Sequence, residues 1–338
     1  LSQAILNKYY GIQAETSFFD GKMVRYAANG RLYTLVPVTQ IPENVLAELY
    51  EMSRHLVTCG DRYVSTFYPA KDEKLLITDD ETDYCLLENA YLKPAANIRT
   101  GRKLAKFHLR GRTIPVAISA TSRMGEWKHY WEKRLEQMEK VWYQTVEEHP
   151  DDPFERMFIE SFPYYMGLCE NAIQYVVDTE MDDTPAESDA GTICHERFAA
   201  GTWGRKYLIH HPFDWVFDHA GRDIAEKIRE QYLMKQRTFR PEVQAFLRQY
   251  QSLSPLSAFS WRLIFARLLF PLHYFECVEA YFLSHSERDQ KLYEEKLQKI
   301  LRDTRHYEAF LAEFYDLAEV PARKQKIPAV GWLKAGSH

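Results

Sequence analysis

A chain of 338 residues with 46% hydrophobic and 27% charged residues has the makeup of an ordinary folded protein and the length for two domains. Its formal net charge of −5 gives no electrostatic reason to expect nucleic acid or an anionic membrane as a partner.

In chain order, residues 12–92 read as strands around one helix. Thr16–Phe19 and Met23–Ala27 flank a tight turn at Asp20-Gly21-Lys22, and Asn29-Gly30, a strong hairpin signal, leads into Leu32–Val38. Pro42 opens a helix to about Leu56, with Val45, Leu46, Leu49, Met52 and Leu56 at helical spacing. Strands are expected again at Val64–Tyr68, Leu75–Thr78 and Tyr84–Leu87. A sheet with one helix inserted after its third strand is the layout of a kinase N-lobe.

From Asn97 the pattern turns helical, first over Ile98–Leu109. Met124, Trp127, Trp131, Leu135, Met138 and Trp142 form an apolar stripe, read as core. Asp152-Pro153-Phe154-Glu155 resembles a capping box that opens a helix kinked at Pro163. The stretch from Asp178 to Asp189 holds six acidic residues in twelve and reads as a solvated loop. Short strands are expected into His195 and around Tyr207–Ile209. Helices resume near Asp218, continue over Pro241–Tyr250 and Ser257–Ser284, and end near Leu317.

The run from Trp261 to Phe282 is the most apolar, but Arg262, Arg267, His273, Glu276 and Glu279 interrupt it. It is expected as a buried helix with snorkelling arginines, not as a membrane span. The first ten residues lack the layout of an export signal. Cys59, Cys85, Cys169, Cys194 and Cys277 are odd in number and never spaced Cys-x-x-Cys, which points to reduced thiols rather than disulfides or zinc. In the tail, Ile327, Val330, Trp332 and Leu333 form an apolar segment suited to docking on the chain's own helices or in a partner's groove.

Three segments carry a resemblance to a known family: Ile193-Cys194-His195, Phe217–Ala225 with its Gly221-Arg222-Asp223-Ile224-Ala225 end, and Arg267–Phe275 with its Leu-x-Phe-Pro core. They resemble the spore coat-associated branch of the aminoglycoside phosphotransferase and choline kinase group. The resemblance implies an α+β, bilobal protein-kinase-like fold: a small antiparallel-sheet N-lobe over residues 1–92 and a large, mainly helical C-lobe over 93–338. The catalytic loop region would lie at 193–225 and a C-terminal tail at 321–338.

In that family the loop runs Cys-His-Gly-Asp, four residues, then Asn, the aspartate acting as base and the asparagine holding Mg²⁺. Here Arg197 stands at the base position and Thr202 at the asparagine position, and a guanidinium is not a base near neutral pH. The phosphate-gripping lysine of the third strand aligns with Val36. Glu48 or Glu51 aligns with its helix partner and, lacking that cation, reads as a solvated side chain. Counting back from Asp223 puts His211 at the metal-binding aspartate, a poor Mg²⁺ ligand, and Phe213 where a second acid often follows. A slipped register would put Asp214 there instead. His195 and Asp223 are expected to survive as structural braces of the loop. His210 and His211, adjacent on an extended segment, point to opposite faces rather than forming a metal pair.

These degenerate positions imply a non-catalytic pseudokinase acting as a structural or scaffolding component of the bacterial endospore coat. It would be made in the mother cell cytoplasm, with other coat proteins as partners and without cofactor, metal, nucleic acid or membrane. The alternatives left open are a small-molecule phosphotransferase with displaced groups, using Glu196 as base and Asp214 or Asp218 for metal with ATP and Mg²⁺, and a nucleotide-binding switch without turnover.

Overall fold

The computed structural model describes residues 2–335 apart from Lys22 and Asn97, so the expected turn at Asp20-Gly21-Lys22 lies partly outside the described residues. A short helix α1 (Ser2–Ile5), continued by a π turn Leu6–Tyr10, opens the chain; sequence periodicity signalled neither. The strands β1 (Thr16–Asp20), β2 (Met23–Ala28) and β3 (Arg31–Pro37) then form an antiparallel meander. Asn29 and Gly30 both adopt positive φ, 51° and 73°, the conformation a two-residue hairpin of matching twist requires.

Helix α2 (Glu43–Thr58) follows, then β4 (Thr66–Tyr68), β5 (Leu76–Asp79) and β6 (Thr82–Asn89). The sheet runs β1-β2-β3-β6-β4, with β5 also on β6. Alternation along β3 and β6 divides the apolar residues between two faces: Tyr33, Leu35 and Leu86 on one, Val36, Cys85 and Leu87 on the other.

Helix α3 (Thr100–Gly111) packs against β7 (Thr192–His195). A Cβ on Gly111 would lie 2.6 Å from Thr192 Oγ1 and 2.7 Å from the Ile193 amide, so only glycine permits this approach. The partner of β7 is β8 (Trp215–Asp218), with His195 opposite Trp215. This corrects the strand expected at Tyr207–Ile209. Leu208 and Ile209 are buried, which explains their apolar character, but their amides bond to the carbonyls of Lys93 and Trp203, and only isolated bridges form nearby, Pro94 with Tyr207 and Val64 with His210.

The chain groups into two compact units. One holds the residues up to Arg123, Ala190–Glu230 and Ala245–Pro255; the other holds Met124–Asp189, Gln231–Gln244 and the residues from Leu256 on. Helices α4 (Trp127–Glu148), α5 (Pro153–Asp182), α6 (Gly221–Met234), α7 (Phe239–Gln251), α8 (Ala258–Leu269), α9 (Leu272–Leu283), α10 (Glu287–Arg302), α11 (Thr304–Ala312), α12 (Phe314–Leu317) and α13 (Gly331–Ala335) complete the description.

In the second unit the aromatic residues form the core, as in the stacked pairs Phe154–Tyr281 and Tyr165–Tyr274, each 3.7 Å between centroids, and Trp131–Phe270 at 4.7 Å. Asp152 caps α5 by accepting from the amides of Phe154 and Glu155. That helix continues through Pro163.

Three expectations need correction here. The acidic stretch is a solvated loop only in its middle, where residues 184–187 are exposed: α5 extends through Asp182, and buried Asp189 accepts from the hydroxyls of Ser257 and Ser260. The helix expected over Ser257–Ser284 is two helices broken at Phe270-Pro271, where the proline ring denies the ladder a donor. Its arginines do not snorkel to water. Arg262 is buried and reaches Asp182 and Asp183, each at 3.2 Å, and Arg267 lies over the Trp127 ring at 4.6 Å. The Arg262 charge is balanced within the protein by these two carboxylates.

The tail docks on its own unit. Ile327 and Leu333 are buried, the Tyr175 hydroxyl donates to the Pro328 carbonyl, and Trp332 Nε1 donates to Asn171 Oδ1. The five cysteines are free thiols. No helix of the described residues is long and apolar enough to cross a membrane.

Candidate functional site

The loop of interest leaves β7 at His195, and a buried carboxylate holds it in place. Asp223, on the first turn of α6, is fully buried and accepts from the His195 amide at 2.9 Å, His195 Nδ1 at 2.7 Å and His108 Nε2 at 3.1 Å. Burial pushes its pKa up, but the two imidazoles outweigh that and hold it well below the usual carboxylate range. Trp203 Nε1 lies 2.9 Å from His195 Nε2. An indole N–H only donates, so His195 Nε2 accepts and the ring proton sits on Nδ1, facing Asp223. Phe107 stacks on the His195 ring at 5.0 Å. His195 is thus packed and bonded on both nitrogens, and it braces the loop together with Asp223.

Arg222, the neighbour of Asp223, binds the other side of the loop. Its guanidinium donates to the carbonyls of His195 and Glu196, to Asp218 Oδ2 at 2.9 Å and to Glu196 Oε1 at 3.1 Å. Asp218 also accepts from the His219 amide. Glu196 and Asp218, two groups a displaced mechanism would call on, are therefore both engaged by one arginine. Arg197 turns toward Glu226, 3.4 Å away. Thr202 closes the loop on itself, accepting from the Ala199 amide and donating to the Arg197 carbonyl.

On the sheet, Val36 is 6% exposed and sits with Val38, Cys85 and Leu87, with Phe67 and Phe213 packed against them. Tyr26 pairs with Tyr33, so by alternation Arg25 and Thr34 project from the opposite face, the face that also carries Val36. It is buried and donates to Thr34 Oγ1 at 2.5 Å; its Nε lies 3.7 Å from Asp20 Oδ2. Burial lowers the Arg25 pKa, opposed by Asp20 and Asp214. No sequence motif announced Arg25; its only signal is a charged residue on an otherwise apolar strand face.

Behind this arginine lies His211, whose two ring nitrogens lack hydrogen-bond partners among the described residues; burial, with Arg25 nearby, brings its pKa down to about 3. His210 points the other way, its Nδ1 3.3 Å from Asp61 Oδ2. Asp214 immediately precedes β8, and burial raises its pKa against the pull of His195 and Arg25. Its carboxylate has no hydrogen-bond partner among the described residues.

Two further devices hold this unit, and sequence reading missed both. The hairpin of β1 and β2 is fastened to the segment after the loop: Asp20 Oδ1 accepts from the Arg205 amide at 2.8 Å, and Lys206 Nζ lies 4.5 Å from the Phe18 ring. Gly204, at φ 78°, makes room for it, since a Cβ there would meet the Tyr207 carbonyl at 2.2 Å. Glu48 on α2, expected as a solvated side chain, instead accepts from the amides of Ser119, Ala120 and Thr121, each at 2.8 Å, and from two hydroxyls. Burial raises its pKa, and these amides outweigh it to leave the pKa lowered. Glu51 pairs with Arg54 at the surface.

Among possible ligand sets, His108, Cys194 and Asp223 bring donor atoms within 4.8 Å of one another. Those atoms are buried and already hydrogen-bonded, His108 Nε2 to Asp223 and Cys194 Sγ to the carbonyls of Asp218 and His219.

A family model described as "Spore coat putative kinase YutH" matches residues 3–314. The endospore coat-associated protein YutH of Bacillus subtilis (strain 168) is 44% identical over 335 residues, 98% of each chain. Among solved structures, an aminoglycoside phosphotransferase from Alicyclobacillus acidocaldarius superposes with a TM-score of 0.64 at 15% identity, over 94% of this chain and 96% of that one. Spectinomycin phosphotransferase APH(9)-Ia, in complex with ADP and spectinomycin, gives 0.60 at 12% identity, over 88% and 93%. At such identities the likeness shows the fold alone: an aminoglycoside phosphotransferase-like kinase fold with an antiparallel N-terminal sheet and a helical C-terminal region. With a family model spanning most of its length and a relative this similar, the chain belongs to the YutH family of spore coat kinase-like proteins.

Proposed function

We propose that this protein is a pseudokinase that does not transfer phosphate and acts as a structural or scaffolding component of the endospore coat. The coat association follows from the likeness to the endospore coat-associated protein of Bacillus subtilis. The observation that carries the loss of chemistry is Val36, in the register of the phosphate-gripping lysine, sealed among Cys85, Leu87, Phe67 and Phe213. An ammonium could enter that cluster only at a large desolvation cost. Arg197 and Thr202 are committed to local contacts, and His211, a neutral imidazole, is a poor ligand for a hard, oxygen-seeking ion. These residues do not fit an ATP–Mg²⁺ complex.

A thermal-shift titration with Mg²⁺-ATP tests this reading. Binding at 100 times Kd would stabilise the protein by about 2.7 kcal/mol; the expected result is no shift, a saturable shift without ATP turnover would replace the reading with a nucleotide-binding switch, and a shift with turnover refutes it. A fluorescent fusion is expected to gather at the forming coat on the mother cell side, and diffuse signal in both compartments would count against coat association.

A second reading, a nucleotide-binding or displaced-group phosphotransferase, draws on one observation. Arg25 places a guanidinium on the same sheet face as Val36, with the unengaged carboxylate of Asp214 close enough to influence it. Under that reading Arg25→Leu and Asp214→Asn each abolish a Mg²⁺-ATP shift that the wild type shows.

A further inference from the structure

In the second unit, the end of α6, the start of α7, the end of α10 and α11 line a cavity of about 520 Å³, within the range of ligand sites. Its floor is aromatic: Tyr232 stacks on Phe310 at 4.5 Å, and Phe239 meets Phe310 edge-on at 5.6 Å. Its rim is basic, although the whole chain is acidic. Arg237 and Arg240 stand on one wall, Lys299, Arg302 and His306 on the other.

Two carboxylates also line the cavity. Glu313 pairs with Arg240, and Asp303 accepts from Gln236 and lies 3.8 Å from Arg302 Nε and 4.0 Å from His306 Nδ1. That leaves the side chains of Arg237 and Lys299 without an ion pair or hydrogen bond among the described residues. A smaller cavity of about 180 Å³ shares Tyr232, Gln236, Lys299 and Asp303 and adds Lys296. A second, independent feature points to a ligand: Tyr232 is 3% exposed and lines both cavities, yet its hydroxyl has no hydrogen-bond partner among the described residues. Such a group costs stability unless something else completes its bonding.

We propose that this groove binds an acidic peptide segment of a partner protein, with carboxylates meeting Arg237, Lys299 and Arg302 and an apolar side chain over Phe239 and Phe310. The spacing selects a peptide over a single small anion. Lys299, Arg302 and His306 follow one another at three- and four-residue steps, one face of nearly continuous helix about 10 Å long. One carboxylate or phosphate reaches part of that row; a run of acidic residues matches all of it. That the partner is a protein rests on the scaffold reading above, whereas the groove lies wholly in the second unit and its charges do not depend on the state of the loop.

The test is fluorescence anisotropy with the full chain and a fluorescein-labelled, Glu-rich dodecapeptide containing one tyrosine, with a Lys-rich peptide as control. Saturable binding of the acidic peptide alone is expected, weakened at least tenfold in Arg237→Glu/Lys299→Glu with the melting temperature unchanged. Tyr232→Phe, which alters no charge, is expected to weaken binding several-fold. No saturable binding, or equal affinity in the double variant, overturns the proposal. Equal affinity in Tyr232→Phe reduces the effect to surface charge and overturns the built site. Displacement by citrate at the peptide's own dissociation constant replaces the peptide with a small carboxylate. Self-association that the double variant abolishes replaces it with a second copy of this chain. ATP turnover would sink the scaffold reading while leaving these binding results standing.

Discussion

His211 gives the most direct test of how the loop region is built. It is 2% exposed, its ring nitrogens have no partner among the described residues, and burial beside Arg25 brings its pKa from an ordinary 6.5 to about 3. The shift is a depression, so the folded state refuses a proton that the unfolded chain accepts between those two values. Stability is therefore complete above pH 6.5 and falls as pH drops toward 3, by about 1.4 kcal/mol per pH unit for this one group.

At pH 5 the loss amounts to about 2 kcal/mol. Leucine has a similar size, carries no proton and forfeits no hydrogen bond, so His211→Leu is expected to lie within about 1 kcal/mol of wild type at pH 7.5 and to be about 2 kcal/mol more stable at pH 5. Burial also lowers His108 and His210, but both remain in each protein, so the comparison isolates a single proton. Urea unfolding followed by tryptophan fluorescence at pH 7.5, 6.25 and 5.0 measures it. A stability difference that stays constant across the three pH values would refute the reasoning.

Asp223→Asn removes a charged acceptor of three buried donors and is expected to cost about 4 kcal/mol, or about 6 °C in Tm for a chain of this length; a Tm within 2 °C of wild type would contradict the bracing role. Glu48→Ala is expected to cost about 2 kcal/mol and to speed hydrogen exchange at the amides of Ser119, Ala120 and Thr121, and unchanged exchange there would show that the carboxylate does not hold the segment. Val36→Lys is expected to destabilise by about 3 kcal/mol without conferring a Mg²⁺-ATP shift, because it forces an ammonium into an apolar cluster; a gained shift would mean that the pocket is otherwise intact.

Much of the fold was legible because local signals agreed with one another. The hairpin at Asn29-Gly30, the helix behind Pro42 and the cap at Asp152 each state a backbone geometry within a few residues. The misreadings share a different origin. Leu208 and Ile209 looked like a strand because they are apolar and buried, yet loop carbonyls satisfy their amides. Arg262 looked like a snorkelling side chain because its acidic partners lie some eighty residues back, at the end of α5.

In the loop region, sequence alone determined which chemical groups are present: a guanidinium at Arg197, a hydroxyl at Thr202, an alkyl group at Val36 and an imidazole at His211. Those identities fix what each side chain can donate, accept or protonate wherever it points. Only the tertiary structure decided what the groups do instead. It placed Trp203 on His195, folded Arg222 around Glu196 and Asp218, brought Glu48 to the amides at 119–121 and set Arg25 on the Val36 face. Contacts of that kind join residues far apart in the chain, and their energies depend on burial and distance, which no local pattern encodes.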